Sequence, residues 1–124
     1  MSLYGSDLKQ KHITKQFYMQ EHSDFEEIAP GVFRKFTHLN DLMLVIIDFT
    51  GGPMEQPDPY HSHVHEQITY VARGKLKFFI EDEEYSLQEG DTIAIPSGRE
   101  HTIQTLTPEV RLIDSFSPVR EDFL

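Results

Sequence analysis

From Val32 onward the apolar residues of this chain fall in short runs separated by Gly, Pro, Asn and Asp, and no stretch carries a strong helical periodicity. Residues 32–36 follow the turn Ala29-Pro30-Gly31 and read as a short strand. Asn40 and Asp41 then turn the chain into residues 42–49, which are apolar on both faces. That pattern predicts a strand buried on both sides, inside a two-layer β structure or against a second subunit. A loop rich in Gly and Pro occupies residues 50–59, and residues 60–71 read as one strand that Gly74 punctuates. Further strands are predicted at 75–80, 84–87, 92–95, 102–106 and 109–116, joined by turns at 81–84, 89–91 and 96–98. Short strands at such spacing predict an all-β domain, a small closed barrel of the jelly-roll type. The acidic residues 81–84 suit a solvated hairpin turn better than a cation site.

The opening segment has another texture. Residues 1–27 are polar and weakly patterned, with Leu8, Ile13, Phe17 and Tyr18 too sparse for a helix. We expect an arm with a short strand around residues 13–19, followed by the barrel at 28–124. His12 and His22 are expected to be exposed surface histidines.

Composition narrows the function. At 124 residues the chain is long enough for one core without staples, and it contains no cysteine for disulfides or thiolate ligands. No apolar run approaches the roughly 18 residues of a membrane span, and no signal-peptide pattern is present, so a cytoplasmic location is expected. The formal net charge of −10 argues against nucleic-acid binding, because a polyanion would be repelled. It leaves room for a small acidic substrate held by one or two local arginines.

The chemistry concentrates in Tyr60-His61-Ser62-His63-Val64-His65-Glu66-Gln67. In an extended strand, alternate side chains share a face, so His61, His63, His65 and Gln67 would converge. Imidazole suits Zn, Ni, Fe and Cu, and the Gln amide offers a neutral oxygen. The stretch reads as half of a metal site.

Two motifs complete it. His61-x-His63-x3-Gln67-x6-Gly74 and Gly90-x5-Pro96-x-Gly98-x2-His101 resemble the paired signatures of the cupins, jelly-roll (double-stranded β-helix) proteins that bind one divalent metal. Gln67 stands where the family pattern has Glu, Thr105 where it ends in Asn, and the leading Gly of the first motif is absent. The resemblance implies metal ligation by His61, His63, Gln67 and His101, with Gly98 turning the chain so that His101 points back inside. It gives His65 no standard ligand role; a pocket wall comes first and a fifth ligand second. The ligand set suits Ni, Zn, Fe or Mn. A neutral Gln instead of a carboxylate leaves the site one unit more positive, which favours a plain Lewis acid over oxygenase chemistry.

A narrower resemblance lies in His61-Ser62-His63-x-His65-Glu66-Gln67-Ile68-Thr69-Tyr70-Val71, in Glu27-Ile28-Ala29-Pro30-Gly31-Val32 and in the tail Phe116-Ser117-Pro118-x-Arg120-Glu121-Asp122-Phe123-Leu124. These look like the pectin-degradation cupins called KdgF, which linearise 4,5-unsaturated uronic acids. That resemblance implies Asp114, Phe116 and Arg120 near the metal, with Asp114 moving a proton, Arg120 fixing the substrate carboxylate and Phe116 forming pocket wall. From the residues alone, Asp114 shares a strand face with Leu112 and Phe116, and an inward carboxylate or a shifted register with an outward one are equally open. Two other classes remain: another metal-dependent cupin enzyme (polyketide cyclase, isomerase or dioxygenase), and a non-catalytic sugar- or metal-sensing cupin. A homodimer is expected from the resemblance and from the doubly apolar strand at 42–49.

Overall fold

The computed structural model describes residues 22–124; the strand expected at residues 13–19 and His12 lie outside them. Its strands are β1 (Glu26–Ala29), β2 (Val32–His38), β3 (Met43–Phe49), β4 (Glu66–Arg73), β5 (Lys75–Ile80), β6 (Glu83–Gln88), β7 (Thr92–Ile95), β8 (His101–Thr105) and β9 (Val110–Ser117). A 3-10 turn, Glu121–Phe123, follows the last strand. A six-stranded sheet has the order β1-β2-β3-β9-β4-β7 and faces a three-stranded sheet of order β6-β5-β8. The fold is the all-β jelly roll that the short, punctuated strands predict. Among the described residues no helix is long and apolar enough to cross a membrane.

The core lies between the sheets. Val71, Ile95, Val110 and Leu112 from the large sheet meet Leu76, Phe78 and Ile80 from the small one. Burying each such side chain contributes roughly 1.5–3 kcal/mol. A second cluster of Met43, Val45, Phe116 and Val119, flanked by Phe36 and Phe123, packs the C-terminal tail against β2, β3 and β9.

Register then sets the polar positions. In β4–β9, Gln67 pairs with Phe116, Thr69 with Asp114 and Val71 with Leu112. Because strand side chains alternate, these three pairs of neighbours present Gln67, Thr69, Asp114 and Phe116 on one inner face together with Val71 and Leu112.

Three expectations need correction. The strand expected at 60–71 begins only at Glu66. The preceding segment is irregular and is laid along β8 instead: Met54 N donates to the Thr105 carbonyl (3.1 Å), Asp58 N to Ile103 (3.1 Å), and His61 and His101 exchange both backbone bonds (3.0 and 2.9 Å). Three prolines at 53, 57 and 59 lack the N–H groups a regular ladder needs, so only the intervening residues pair. The strand at 42–49 is not buried on both sides within the single chain: Leu42 is 54% and Leu44 42% exposed. Its apolar outer face continues across the sheet through Ile68 and Tyr70, which are also exposed.

His22, expected on the surface, is buried. Its ring stacks on Phe33 (centroids 4.4 Å apart) and its Nε2 lies 2.7 Å from Asp48 Oδ2. Arg111 donates to the same carboxylate through Nε (2.7 Å) and Nη2 (2.6 Å). Burial works to raise the Asp48 pKa, but these bonds and charges outweigh it and hold the acid below its ordinary value. An acid inside an apolar strand needs such partners. His22 supplies one from 26 residues away, a distance that the sequence pattern does not bridge.

The tight turn from β4 to β5 depends on Gly74, at φ +84°. A Cβ there would sit 2.2 Å from the Glu109 carbonyl and 2.7 Å from Thr107 Oγ1. Gly74→Ala should destabilise the fold by at least about 1–3 kcal/mol, the usual cost of a non-glycine residue at such a φ. Urea denaturation checks this, and an unchanged midpoint would contradict the turn geometry.

Candidate metal centre and its cavity

Two peptide segments bring the imidazoles together. The reciprocal His61–His101 bridge places residues 40 positions apart side by side at the end of the small sheet. Gly98, at φ +77°, makes the turn between β7 and β8, where its N–H donates to the His63 carbonyl at 2.8 Å. Ser97 Oγ donates to the Val64 carbonyl at 2.6 Å. The 96–98 turn thus clasps the irregular segment that carries His63, and neither contact depends on strand alternation.

One ligand atom each from His61, His63 and His101 lies within 4.8 Å of the others, which makes this cluster able to hold a metal ion. The ring nitrogens are sorted for that task. His63 Nδ1 lies 3.0 Å from the His65 carbonyl and His101 Nδ1 2.9 Å from the Arg99 carbonyl. A carbonyl only accepts, so each Nδ1 carries the hydrogen and each Nε2 is left with a lone pair. His101 Nε2 is buried with no hydrogen-bond partner. His63 Nε2 faces Gln67 Oε1 at 3.1 Å, so two acceptors point at one space. An orphaned buried acceptor and two opposed lone pairs fit a bound cation.

Electrostatics agree. Burial is the leading cause that lowers the pKa of His61, His63 and His101, followed for His61 and His63 by neighbouring positive charge, including Arg120; for His101, Arg120 and His61 add to burial. All three are therefore held neutral, the form a metal requires.

His65 falls outside this cluster. Its ring lies 5.4 Å from that of His63, its carbonyl takes the His63 hydrogen, and its buried Nδ1 has no partner. It is among the groups that influence Asp122, which puts it beside the C-terminal tail.

His61 and His101 open on a cavity of about 450 Å³. Its walls include Gln67, Asp114, Phe116 and Arg120. Asp114 is thus inward, and the alternative of a shifted register is resolved. Burial pushes its pKa up to about 6, against the opposing pull of Thr69, Arg120 and Gln67. Phe116 sets its ring edge-on to His63 at 5.6 Å. The Arg120 guanidinium lies over both Phe116 (5.2 Å) and Phe123 (4.5 Å). Its Nε–Nη2 edge already donates to Asp122, at 3.0 and 2.8 Å, so a ligand would meet it through the remaining Nη1 side.

Two features of the site escaped the sequence reading. Arg34 extends into the cavity with its guanidinium 4.2 Å from the Phe123 ring, its Nη2 bonded to Glu26 and its Nε buried without an acceptor. The signal was there: Arg34 shares the strand parity of Val32 and Phe36. Thr69 shares that of Gln67 and Val71, and it links Gln67 to Asp114.

The groups make opposing contributions to stability. Imidazoles with lowered pKa values bind protons more readily when unfolded, so they remove stability as pH falls below about 6.5. Asp114, whose folded pKa is raised, adds stability as pH falls from about 6 towards 4. In metal-free protein Asp114→Asn should therefore steepen the loss of stability between pH 6.5 and 4. Urea midpoints measured across that range with chelator present check it; a shallower dependence in the variant would contradict the arrangement.

Comparison with known proteins matches this geometry. A family model described as "Cupin domain" matches residues 49–116. The pectin degradation protein KdgF of Dickeya dadantii (strain 3937) is 36% identical over 112 residues, covering 89% of this chain and 99% of that protein. Among solved structures, KdgF from Halomonas sp. superposes with a TM-score of 0.74 at 36% identity, covering 85% of this chain and 95% of that one. An RmlC-like cupin from Shewanella frigidimarina NCIMB 400 has the same TM-score at 32% identity, covering 84% and 91%. The chain belongs to the cupin family, among its KdgF-like members.

Proposed function

We propose that this protein is a metal-dependent enzyme that opens the ring of 4,5-unsaturated uronic acids released from pectin or alginate. The observation that carries this reading is a cavity in which Asp114, with a pKa of about 6, shares the walls with His61 and His101 of the three-imidazole cluster and with the Arg120 guanidinium. The similarity to a pectin degradation protein supports the substrate class.

Each residue has a task. His61, His63, Gln67 and His101 would hold one divalent ion (Ni, Zn, Fe or Mn), which supplies Lewis-acid polarisation of sugar oxygens. Arg120 receives the uronate carboxylate on its Nη1 side, and its contacts with Phe116, Phe123 and Asp122 keep the guanidinium in place. Asp114 acts as the base and Phe116 forms pocket wall; His65, expected there too, is not among the residues that line the cavity. The Asp114 carboxylate takes the proton of the anomeric hydroxyl as the C1–O5 bond breaks and the C1 carbonyl forms. The electron pair on the ring oxygen leaves an enolate across C4 and C5, and delivery of a proton to C4 gives the 5-ketone. One proton moves from oxygen to carbon, so the reaction is an isomerisation that needs no co-reactant. A pKa of about 6 lets the same acid both accept and return that proton near neutral pH.

The apolar outer sheet face belongs to the same proposal. Leu44 and Ile68 flank Ser115 in the register, as Ile46 and Tyr70 flank Ile113, and a second copy of the chain covers these rows in a homodimer.

The test follows loss of the unsaturated-uronate absorbance, using lyase-derived monomers of both pectate and alginate with metal-loaded protein. The rate should exceed the spontaneous one and be abolished by chelator and by His101→Ala. Asp114→Asn should lower turnover by at least about a hundredfold, a typical share for acid–base catalysis, with metal content retained. No acceleration at verified metal occupancy would overturn the assignment.

A further inference from the structure

Gln67 Oε1, Gln67 Nε2, Thr69 Oγ1 and Asp114 Oδ1 form an unbroken polar chain that starts at the His63 ring. The steps measure 3.1 Å from His63 Nε2 to Gln67 Oε1, 2.9 Å from Gln67 Nε2 to Thr69 Oγ1, and 2.6 Å from Thr69 Oγ1 to Asp114 Oδ1. Thr69 is fully buried, so water does not substitute for any of its bonds. The Thr69 hydroxyl donates its one hydrogen to Asp114 Oδ1, and its oxygen accepts from Gln67 Nε2.

We propose that Thr69 is a positioning residue that fixes which end of the Gln67 amide faces the metal. An amide has a donor end and an acceptor end of nearly the same shape, and a ligand amide turned the wrong way presents hydrogens to a cation. With the hydroxyl hydrogen committed to Asp114, the Nε2 group must lie toward Thr69, which turns Oε1 toward His63 and the ion. Asp114, which also accepts from Gln67, reinforces the same direction. The arrangement gives residue 67 a reason to be an amide as well. A carboxylate there would meet an acceptor oxygen with no hydrogen to offer, within reach of a second carboxylate, whereas Gln fills that place with a donor. The inference rests on the metal-binding half of the function proposed above and is independent of the sugar.

The experiment measures Zn²⁺ affinity by competition with a chromophoric chelator at pH 8, with Tm recorded for every variant. Thr69→Val keeps the shape and removes the hydroxyl; it should weaken Zn²⁺ binding about tenfold or more, the usual scale for partners that orient metal ligands. Thr69→Ala, which removes the same hydroxyl while leaving space, should give a comparable loss and serves if the valine variant does not fold. Thr69→Ser keeps the hydroxyl and should restore binding close to that of wild type. In a Gln67→Ala background, Thr69→Val should add no further loss, because the group it orients is gone. Wild-type affinity in Thr69→Val, or an equal loss in both backgrounds, would overturn the proposal. Failure of the wild-type chain to bind Zn²⁺ would instead overturn the metal site itself, and the two results are distinguishable.

Discussion

Antiparallel pairing of β4 with β9 sets Thr69 opposite Asp114 and Gln67 opposite Phe116, and most of the polar character of the cavity follows from it. A slip of β4 by one residue would turn Gln67 and Thr69 to the outer face. The apolar neighbours resist that slip, since Val71 on the same inner face would leave the core with them. The hydrophobic pattern thus does more than hold the sheets together. It fixes the position of an acid and an amide that contribute little to folding themselves.

The imidazoles obey a different constraint. His61 and His63 sit on an irregular segment between β3 and β4, held by backbone bonds to β8 and by the 96–98 turn. Their aim depends on peptide groups and on the carbonyls that receive each Nδ1 hydrogen. The centre is thereby assembled from both sheets, with Gln67 from the large one and His101 from the small one. Around it the charge is local: a chain of net charge −10 directs two guanidiniums, Arg34 and Arg120, at one aromatic ring inside its cavity. An anionic ligand would meet the field of these groups at short range, where the low-dielectric wall screens little.

The jelly roll was legible in the sequence because short apolar runs and Gly/Pro turns report strands directly. The histidine cluster was legible through motif spacing, although the alternation argument for it was mistaken in detail: His61 and His63 are not strand residues, and His65 stands apart from them. Other features were hidden for physical reasons. The buried tie from His22 through Asp48 to Arg111 joins three segments far apart in the chain, and no local pattern encodes such a meeting. Thr69 and Arg34 occupied inward parities, but a threonine in a strand is ordinary and an arginine beside a turn reads as surface. Their roles emerge only once register supplies the neighbours.

The large sheet treats two acids in opposite ways. On its outer side Asp48 is kept ionised by a forked guanidinium and an imidazole, so that carboxylate strengthens the fold. On its inner side Asp114 is buried with only a hydroxyl, an amide and a more distant charge to offset desolvation, and its ionised form is disfavoured. For natural selection these positions are unlike. At 48, stability and persistence of the residue coincide. At 114 an apolar side chain would suit the surrounding wall, so drift toward stability alone would erase the acid, and only selection acting on the cavity would keep it there.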